Sequence, residues 1–209
     1  AMYHAKAAGK NRFVNFQAQM QETLHERLRL ESDMSKALAN GEFLIEYQPV
    51  VDLGTRCLLG VEALLRWQHP EFGLLMPARF ISIAEECGFI QKLGRWVLFN
   101  ACRELRDWRG SIAGGSGLRI SVNISGRHLQ HGNLIQDVTD ALRESQLEPG
   151  NIVIELTEST MMYNTDANLA RLRELQRMGV RLAIDDFGTG YSSLSYLHRF
   201  PIDILKIDR

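Results

Sequence analysis

The chain has 209 residues, of which 45% are hydrophobic and 23% are charged, and its formal net charge is −1. These proportions are typical of a globular protein with a sizeable core, and the near-neutral charge argues against a nucleic acid polymer as a partner. No run approaches the roughly 20 apolar residues of a membrane span and no signal peptide opens the chain, so we expect a cytoplasmic protein, with any membrane attachment supplied by other regions of the parent protein.

The cysteines and histidines give no indication of a disulfide framework or a zinc site. Cys57, Cys87 and Cys102 are odd in number, far apart and without CxxC spacing. We therefore expect free thiols in a reducing compartment, packed as small core residues. The six histidines lack the spacing of a metal site and are expected mostly on the surface or in loops.

Two segments precede the main body of the sequence. Residues 1–16 combine an Ala-rich helical run with the strand-like alternation NRFVNF, and residues 17–41 form a polar, helix-favouring stretch. The apolar stripe of this helix is predicted to consist of Met20, Leu24, Leu28, Met34 and Leu38. We expect a helical linker here, with packing against a second copy of the chain as the alternative. Because the chain begins within a predicted helix and ends directly after a predicted strand, we also expect it to be a fragment.

Six strand-like runs follow from Glu42 onward and alternate with helical patterns. They lie at 43–51, 58–67, 118–125, 151–158, 180–187 and 203–209. Repeated β-then-α units indicate parallel strands joined by helical crossovers. The first two runs are joined only by DLGTRC, which favours a hairpin. The sequence therefore predicts a mixed α/β sheet that begins with an antiparallel pair.

The phase of the strands favours a barrel over an open sheet. In RISVNIS, Ile120, Val122 and Ile124 share one face, while Ser121 and Asn123 lie on the other. The later strands also turn polar on one face near their C-terminal ends, whereas an open sheet covered by helices would be apolar on both faces. We therefore expect a TIM-like (β/α) barrel, with an open doubly wound sheet as the alternative. Residues 42–209 suffice for six strands, so we expect a barrel that is incomplete at its C-terminal end and, in isolation, inactive and poorly folded.

Six polar residues near the C-terminal ends of these strands would converge on one barrel mouth. They are Glu62, Asn123, Glu155, Asp185, Asp186 and Lys206. Carboxylate and amide oxygens are the ligands that Mg²⁺ and Mn²⁺ prefer, and clustered carboxylates repel one another without a cation. We therefore predict a metal site, although any one of these acids alone could equally be a helix cap or a surface charge.

Lys206 and the segment after Asp185 suggest further parts of an active site. The Lys206 ammonium could hold an attacking water, neutralise phosphate charge or act only as a counter-ion to the carboxylates. The sequence DDFGTGYSS at 185–193 contains Gly188 and Gly190, which allow a tight loop. By itself this loop could be a plain turn, but next to the Asp pair it is typical of an active-site lid.

The motifs of this part of the chain resemble those of the EAL domain of bacterial cyclic-di-GMP phosphodiesterases. In chain order they are YQPVVDL (47–53), GVEALLRW (60–67), FISIAEECGFI (80–90), SVNIS (121–125), IELTES (154–159), DDFGTGYSSLSYL (185–197) and PIDILKID (201–208). They cover essentially all of residues 42–209, which form the expected EAL domain. Residues 1–16 are similar to the closing helix and strand of a GGDEF-type diguanylate cyclase domain, so the resemblance implies a tandem GGDEF–EAL parent.

The resemblance also implies a role for each candidate residue. The metal ligands would be Glu62, Asn123, Glu155, Asp185 and Asp186, with Asp185 bridging two Mg²⁺ or Mn²⁺ ions. The catalytic residues would be Glu62, Asp185 and Lys206, the last hydrogen-bonded to the attacking water or to the phosphate. The substrate would contact Gln48, Leu64, Arg66 and Asp186, and Glu158 would anchor the DFGTG loop.

The implied activity is metal-dependent hydrolysis of cyclic-di-GMP to the linear dinucleotide pGpG by a homodimeric protein. The family also uses an acidic residue and a glutamine on its last strands, beyond Arg209, so the second metal site is expected to be incomplete. A receptor that binds cyclic-di-GMP without cleaving it is one alternative, and a different metal-dependent barrel enzyme, such as an aldolase or sugar isomerase, is another. The retained motifs favour the phosphodiesterase.

Overall fold

The structure, a computed structural model, describes residues 18–111, 115–162, 165–188 and 199–207. The predicted helix and strand at residues 1–16 lie outside these ranges. The helices are α1 (Ala18–Ala39), α2 (Pro77–Glu86), α3 (Ile90–Ser111), α4 (Gly126–His131), α5 (Leu134–Ser145), α6 (Glu158–Met162) and α7 (Thr165–Met178). The strands are β1 (Phe43–Val51), β2 (Leu58–His69), β3 (Gly73–Leu75), β4 (Arg119–Asn123), β5 (Ile152–Thr157), β6 (Arg181–Phe187) and β7 (Ile204–Ile207).

The strands form one mixed sheet in the order β1-β2-β4-β5-β6-β7, with β3 paired to β2. β1 and β2 are antiparallel, as the short DLGTRC connection predicts, and the pairs from β2–β4 to β6–β7 are parallel. All six predicted strands are confirmed, and β3 is an addition. Within the described residues the sheet is a barrel-like layer that does not close, with β1 and β7 at its edges.

The main core lies between the sheet and the helices that connect its strands. Ile120, Val122, Ile152 and Ile154 are fully buried on the helix-facing side, which confirms the predicted alternation in β4. Two strands approach especially closely at Gly60, where an added Cβ would lie 2.4 Å from the carbonyl oxygen of Arg119. A residue without a side chain is therefore required where β2 pairs with β4.

A second hydrophobic cluster joins α1 to the sheet. Phe43, Trp67 and Phe80 pack with ring centroids 5.1 to 5.9 Å apart, in contact with the buried side of α1. Two ion pairs, Arg27–Glu86 and Arg79–Glu26, join α1 to α2 beside this cluster. The described part of α1 thus packs on the same body as the sheet.

The predicted apolar stripe of α1 is partly wrong. Leu30, Met34 and Ala37 are the buried residues, whereas Leu24 and Leu28 are 50% and 54% exposed. Residues 30, 34 and 37 follow the i, i+4, i+7 spacing of one helix face, and the small Ala37 side chain allows the helix to lie close to its neighbours. The predicted stripe contains Met34 but takes Leu24 and Leu28 in place of Leu30 and Ala37.

The cysteines are free, as predicted, but Cys57 and Cys87 are exposed and only Cys102 lies in the core. His69 and His128 are buried, which corrects the expectation of surface or loop positions for these two residues. No helix in the described part of the chain combines the length and apolarity needed to cross a membrane.

Candidate active site

Three carboxylates and one ammonium group meet at the C-terminal ends of the parallel strands. Oxygens of Glu62, Glu155 and Asp185 all lie within 4.8 Å of one another. Strand register explains the meeting: Glu62 lies opposite Ser121, Asn123 opposite Glu155, and Thr157 opposite Asp185. Residues paired across neighbouring strands share a face of the sheet, so these side chains point the same way.

Lys206 from β7 lies at the centre of this group. Its Nζ is 2.9 Å from Glu62 Oε2, 2.6 Å from Glu155 Oε2 and 3.2 Å from Asp185 Oδ2. Asn123 joins the group by donating a hydrogen bond from Nδ2 to Glu62 Oε1 at 2.8 Å. We call these five side chains the carboxylate–lysine cluster.

Burial and neighbouring charges both shift the pKa values of Glu155 and Lys206. Burial raises the pKa of Glu155, which is only 3% exposed; the Lys206 hydrogen bond opposes this shift and the nearby Glu62 charge adds to it. Burial alone would lower the pKa of Lys206, but the hydrogen bonds that its ammonium donates to Glu155 and Glu62 outweigh this effect and leave the pKa raised. The lysine is therefore a fixed positive charge at neutral pH.

The donor set suits a hard divalent cation. Three carboxylates supply oxygens at close range, and the opposite rotamer of the Asn123 amide would present its oxygen in place of Nδ2. The ammonium of Lys206 already demonstrates that this position favours a positive charge. Mg²⁺ or Mn²⁺ fits these ligands better than zinc, which usually recruits nitrogen or sulfur.

Asp186 is placed differently from its neighbour Asp185. It is not among the acidic residues within 4.8 Å of one another in the described ranges, but it lines the adjoining cavity. Its φ is +55°, and the pairing of β6 with β7 shifts register between Ile184 and Phe187. Consecutive residues of a regular strand already point to opposite faces, and the irregular end of β6 alters the direction of Asp186 relative to that alternation.

The predicted substrate residues share the sheet face of the cluster. Gln48 lies opposite Glu62, and Leu64 and Arg66 follow on β2 at two-residue spacing. Arg66 is 8% exposed and donates from Nε to Glu46 Oε2 at 2.9 Å and from Nη1 to the Leu65 carbonyl at 2.9 Å. The sequence did not predict the Glu46 contact, because it depends on the register of the β1–β2 hairpin.

Glu158 contacts the start of the predicted lid. Its Oε2 accepts a hydrogen bond of 3.3 Å from the backbone N–H of Gly188, whose φ is +99°. This contact joins α6 to the end of β6. The rest of the predicted lid, including Gly190, lies outside the described residues.

A cavity of about 520 Å³ opens beside the cluster. One wall is apolar and comes from β2, α2 and the first turns of α3, including Leu64, Ile81 and Leu93. The opposite wall is polar and includes Asn123, Glu155, Thr157 and Asp186. A partly apolar ligand suits the apolar wall, whereas an anionic group could lie at the polar wall only with a cation beside Glu155 and Asp186.

The family is decided by comparison with known proteins. Residues 31–209 match the family model described as EAL domain. The chain belongs to the EAL domain family. The match begins within α1, so the second half of this helix counts as part of the EAL domain.

Several relatives of this EAL domain are named for an enzymatic activity. It is 45% identical over 209 residues to the bifunctional diguanylate cyclase/cyclic di-GMP phosphodiesterase MucR of Pseudomonas aeruginosa, covering all of this chain and 30% of that protein. It is 42% identical to the cyclic di-GMP phosphodiesterase PdeR of Escherichia coli, covering all of this chain and 31% of that protein. The chain thus spans less than a third of the length of these two relatives.

Solved EAL structures support the fold. The PaMucR phosphodiesterase in complex with c-di-GMP aligns with a TM-score of 0.81 and 44% identity, covering 86% of this chain and 72% of that one. The EAL enzyme Bd1971, bound to cAMP and cyclic-di-GMP, aligns with a TM-score of 0.82 and 34% identity, covering 89% and 51%. The predicted TIM-like α/β fold is confirmed.

Proposed function

We propose that this EAL domain hydrolyses cyclic-di-GMP to the linear dinucleotide pGpG with the help of Mg²⁺ or Mn²⁺. The carboxylate–lysine cluster carries the proposal, because its three carboxylates lie within 4.8 Å of one another and could together hold a divalent cation. The relatives named as cyclic di-GMP phosphodiesterases support this choice of substrate over the aldolase or isomerase chemistry of other barrels.

The residues that would hold the metal are Glu62, Asn123, Glu155 and Asp185, with Asp186 beside a second ion. A divalent ion bound there lowers the pKa of water and stabilises negative charge on phosphoryl oxygens. The buried Glu155 needs a cation nearby to remain ionised, since burial raises its pKa. Lys206 supplies that cation in the structure described here.

The chain's own groups would position the substrate and the attacking water. Lys206 would donate a hydrogen bond to the water or to a phosphate oxygen, and Arg66 would pair with the phosphate through the guanidinium hydrogens not used by Glu46 and Leu65. Gln48 and Leu64 would line the dinucleotide site. In the reaction the water oxygen bonds to phosphorus, one phosphodiester P–O bond breaks, and the leaving ribose oxygen takes a proton.

The test is cyclic-di-GMP turnover by the full-length protein with Mg²⁺ or Mn²⁺, followed by chromatography of the products. We expect pGpG from the wild type and a loss of at least about a hundredfold in Glu62→Gln, since a charged cluster oxygen is removed. Glu71→Gln serves as the matched control, because this glutamate is exposed and pairs only with Arg29 among the contacts described for it.

Two outcomes would contradict the proposal. Equal turnover by Glu62→Gln and wild type would show that the cluster is not the site of hydrolysis. Tight binding of cyclic-di-GMP without any pGpG, by folded protein in the presence of metal, would instead identify the chain as a receptor.

A further inference from the structure

A buried chain of polar groups joins three helices behind the wall of the cavity. His128 of α4 is 1% exposed, and its Nε2 lies 3.0 Å from Asp137 Oδ2 of α5. Asp137 is also buried and pairs with Arg95 of α3, which reaches the surface and stacks over Phe99. A buried histidine that binds a carboxylate has a fixed ring orientation.

Two glycines form the slot that holds the His128 ring. A Cβ at Gly94 would lie 2.4 Å from His128 Nδ1, and a Cβ at Gly132 would lie 2.4 Å from its Cδ2. Among the residues that the structure describes, none forms a hydrogen bond with the buried Nδ1, so the tautomer that fits places the proton on Nε2, where it is donated to Asp137. The ring therefore has one position and one hydrogen bond.

This slot adjoins the strand end that carries Asn123. The β4 strand ends at Asn123, and α4 begins three residues later with Ser125 as its N-cap, whose Oγ accepts a 3.1 Å hydrogen bond from the backbone N–H of His128. Ile124 donates its backbone N–H to the Glu155 carbonyl at 2.9 Å. The turn of residues 123–126 is thus held by β5 on one side and on the other by the backbone N–H of His128, whose own side chain is fixed by Asp137. All four residues of the turn line the cavity together with His128.

We propose that His128 is a positioning residue: held by Asp137 and Arg95, it fixes the turn of residues 123–126 so that Asn123 faces the carboxylate–lysine cluster. The proposal rests on the proposed function only in taking the cluster as a divalent-cation site. His128 does not touch the reacting atoms; it acts through the capped turn. Removing residues that orient metal ligands from behind typically lowers metal affinity or activity by about 10- to 100-fold.

The experiment measures Mn²⁺ binding to the full-length protein by the loss of the free Mn²⁺ resonance in electron paramagnetic spectra, alongside thermal stability. We expect about tenfold weaker Mn²⁺ binding in His128→Ala, within the range seen when outer-shell partners are removed. His128→Gln keeps an amide donor that can reach Asp137, so its Mn²⁺ affinity is expected to remain within about threefold of wild type. Turnover of cyclic-di-GMP adds a second readout: at saturating Mn²⁺ the kcat of His128→Ala should recover towards that of wild type.

Arg95→Met provides a variant at the exposed end of the same chain, where the fold is least at risk. We expect about tenfold weaker Mn²⁺ binding, clearly outside the threefold range expected for His128→Gln, because Asp137 loses the partner that holds it towards His128. If His128→Ala does not fold, the Mn²⁺ affinities of Arg95→Met and His128→Gln test whether His128 positions the turn.

The proposal is overturned if His128→Ala or Arg95→Met lowers the melting temperature while binding Mn²⁺ as wild type does, since His128 would then be structural only. It is also overturned if the wild type binds no Mn²⁺. Wild-type protein that binds Mn²⁺ but forms no pGpG would contradict the proposed hydrolysis and leave the His128 comparison intact.

Discussion

Lys206 can act in two ways: as a counter-ion to the carboxylates, or as a hydrogen-bond donor to the attacking water or the phosphate. Its ammonium contacts all three carboxylates of the cluster, as a simple counter-ion would. The same position would bring it next to a scissile phosphate once a divalent ion neutralised those carboxylates. Because one role predicts a large loss of turnover on its removal and the other almost none, mutation can distinguish them.

Replacing Lys206 with methionine tests the two roles. We expect the metal-free protein to be less stable, since three carboxylates would lie close together without a cation, and the melting temperature to rise more on adding Mn²⁺ than in wild type. If Lys206 acts on the water or phosphate, turnover at saturating Mn²⁺ falls by about 10² to 10⁴. Near-normal turnover at saturating Mn²⁺ would assign it the counter-ion role alone.

His128 predicts how the stability of the domain depends on pH. Burial lowers the pKa of His128 below its ordinary value of 6.5, and the hydrogen bond and charge of Asp137 only partly oppose this effect. A lowered histidine pKa means that the unfolded chain binds more protons, so the free energy of unfolding decreases as pH falls below about 6.5. In urea unfolding at pH 7 and pH 5, His128→Gln should lose less stability between the two values than wild type. An equal loss in both proteins would show that His128 protonation does not contribute.

For individual residues, the sequence predicts the placement of side chains on strands better than that of side chains on helices. Strand alternation and parallel order suffice to bring Glu62, Glu155, Asp185 and Lys206 together, because every C-terminal strand end lies at the same edge. The His128–Asp137 pair depends on how α4 packs against α5, and no short-range pattern encodes that. The direction of the Asp186 side chain depends on the irregular end of β6, where its φ is positive and the pairing with β7 shifts register, and no sequence pattern encodes that.

Among the helices and strands, α1 is the one for which the sequence prediction and the structure differ most. Its polar composition is typical of a linker, yet Leu30, Met34 and Ala37 are buried against the sheet and α2. The family match begins at residue 31 and so includes Met34 and Ala37. The described part of α1 therefore packs directly on the domain.

Substitutions in α1 separate its packed face from its exposed face. Met34→Ala is expected to lower the free energy of unfolding by about 2 to 5 kcal/mol, because a buried side chain is removed without filling the space. Leu28→Ala, on the exposed side of the same helix, is the matched control and should change it by less than about 0.5 kcal/mol. Denaturant unfolding of both variants makes the comparison, and similar small effects would mean that α1 behaves as a detached linker.

The strands were predictable as elements because their apolar runs are short and bounded by turn residues. The three-residue β3 was not, since a run of that length has no detectable period. The β1–β2 hairpin followed from the length of its connection, which is too short for a crossover helix. Its register, and with it the Arg66–Glu46 pair, follows only from the folded sheet.

For the whole molecule, the cluster exists only when distant parts of the chain fold together. Glu62 and Lys206 are separated by 144 positions in sequence and lie on strands that are not adjacent in the sheet. No local segment can assemble this site, so binding at the cluster and stability of the fold are thermodynamically linked. A buried carboxylate such as Glu155 is tolerated because a cation next to it offsets the free-energy cost of burying its charge.

That linkage gives a measurable expectation for the folded domain. Mn²⁺ at about 100 times its dissociation constant should raise the free energy of unfolding by about 2.7 kcal/mol if it binds the folded state alone. Glu155→Gln should lose most of this gain, because the buried oxygen donor at the centre of the cluster loses its charge, while the exposed Glu71→Gln should keep it. Lowering the pH should also reduce the gain in wild type, since protons compete with the metal for the carboxylates and burial raises the pKa of Glu155. Equal stabilisation of Glu155→Gln and wild type by Mn²⁺ would show that the ion binds elsewhere on the surface and that the carboxylate–lysine cluster is not the metal site.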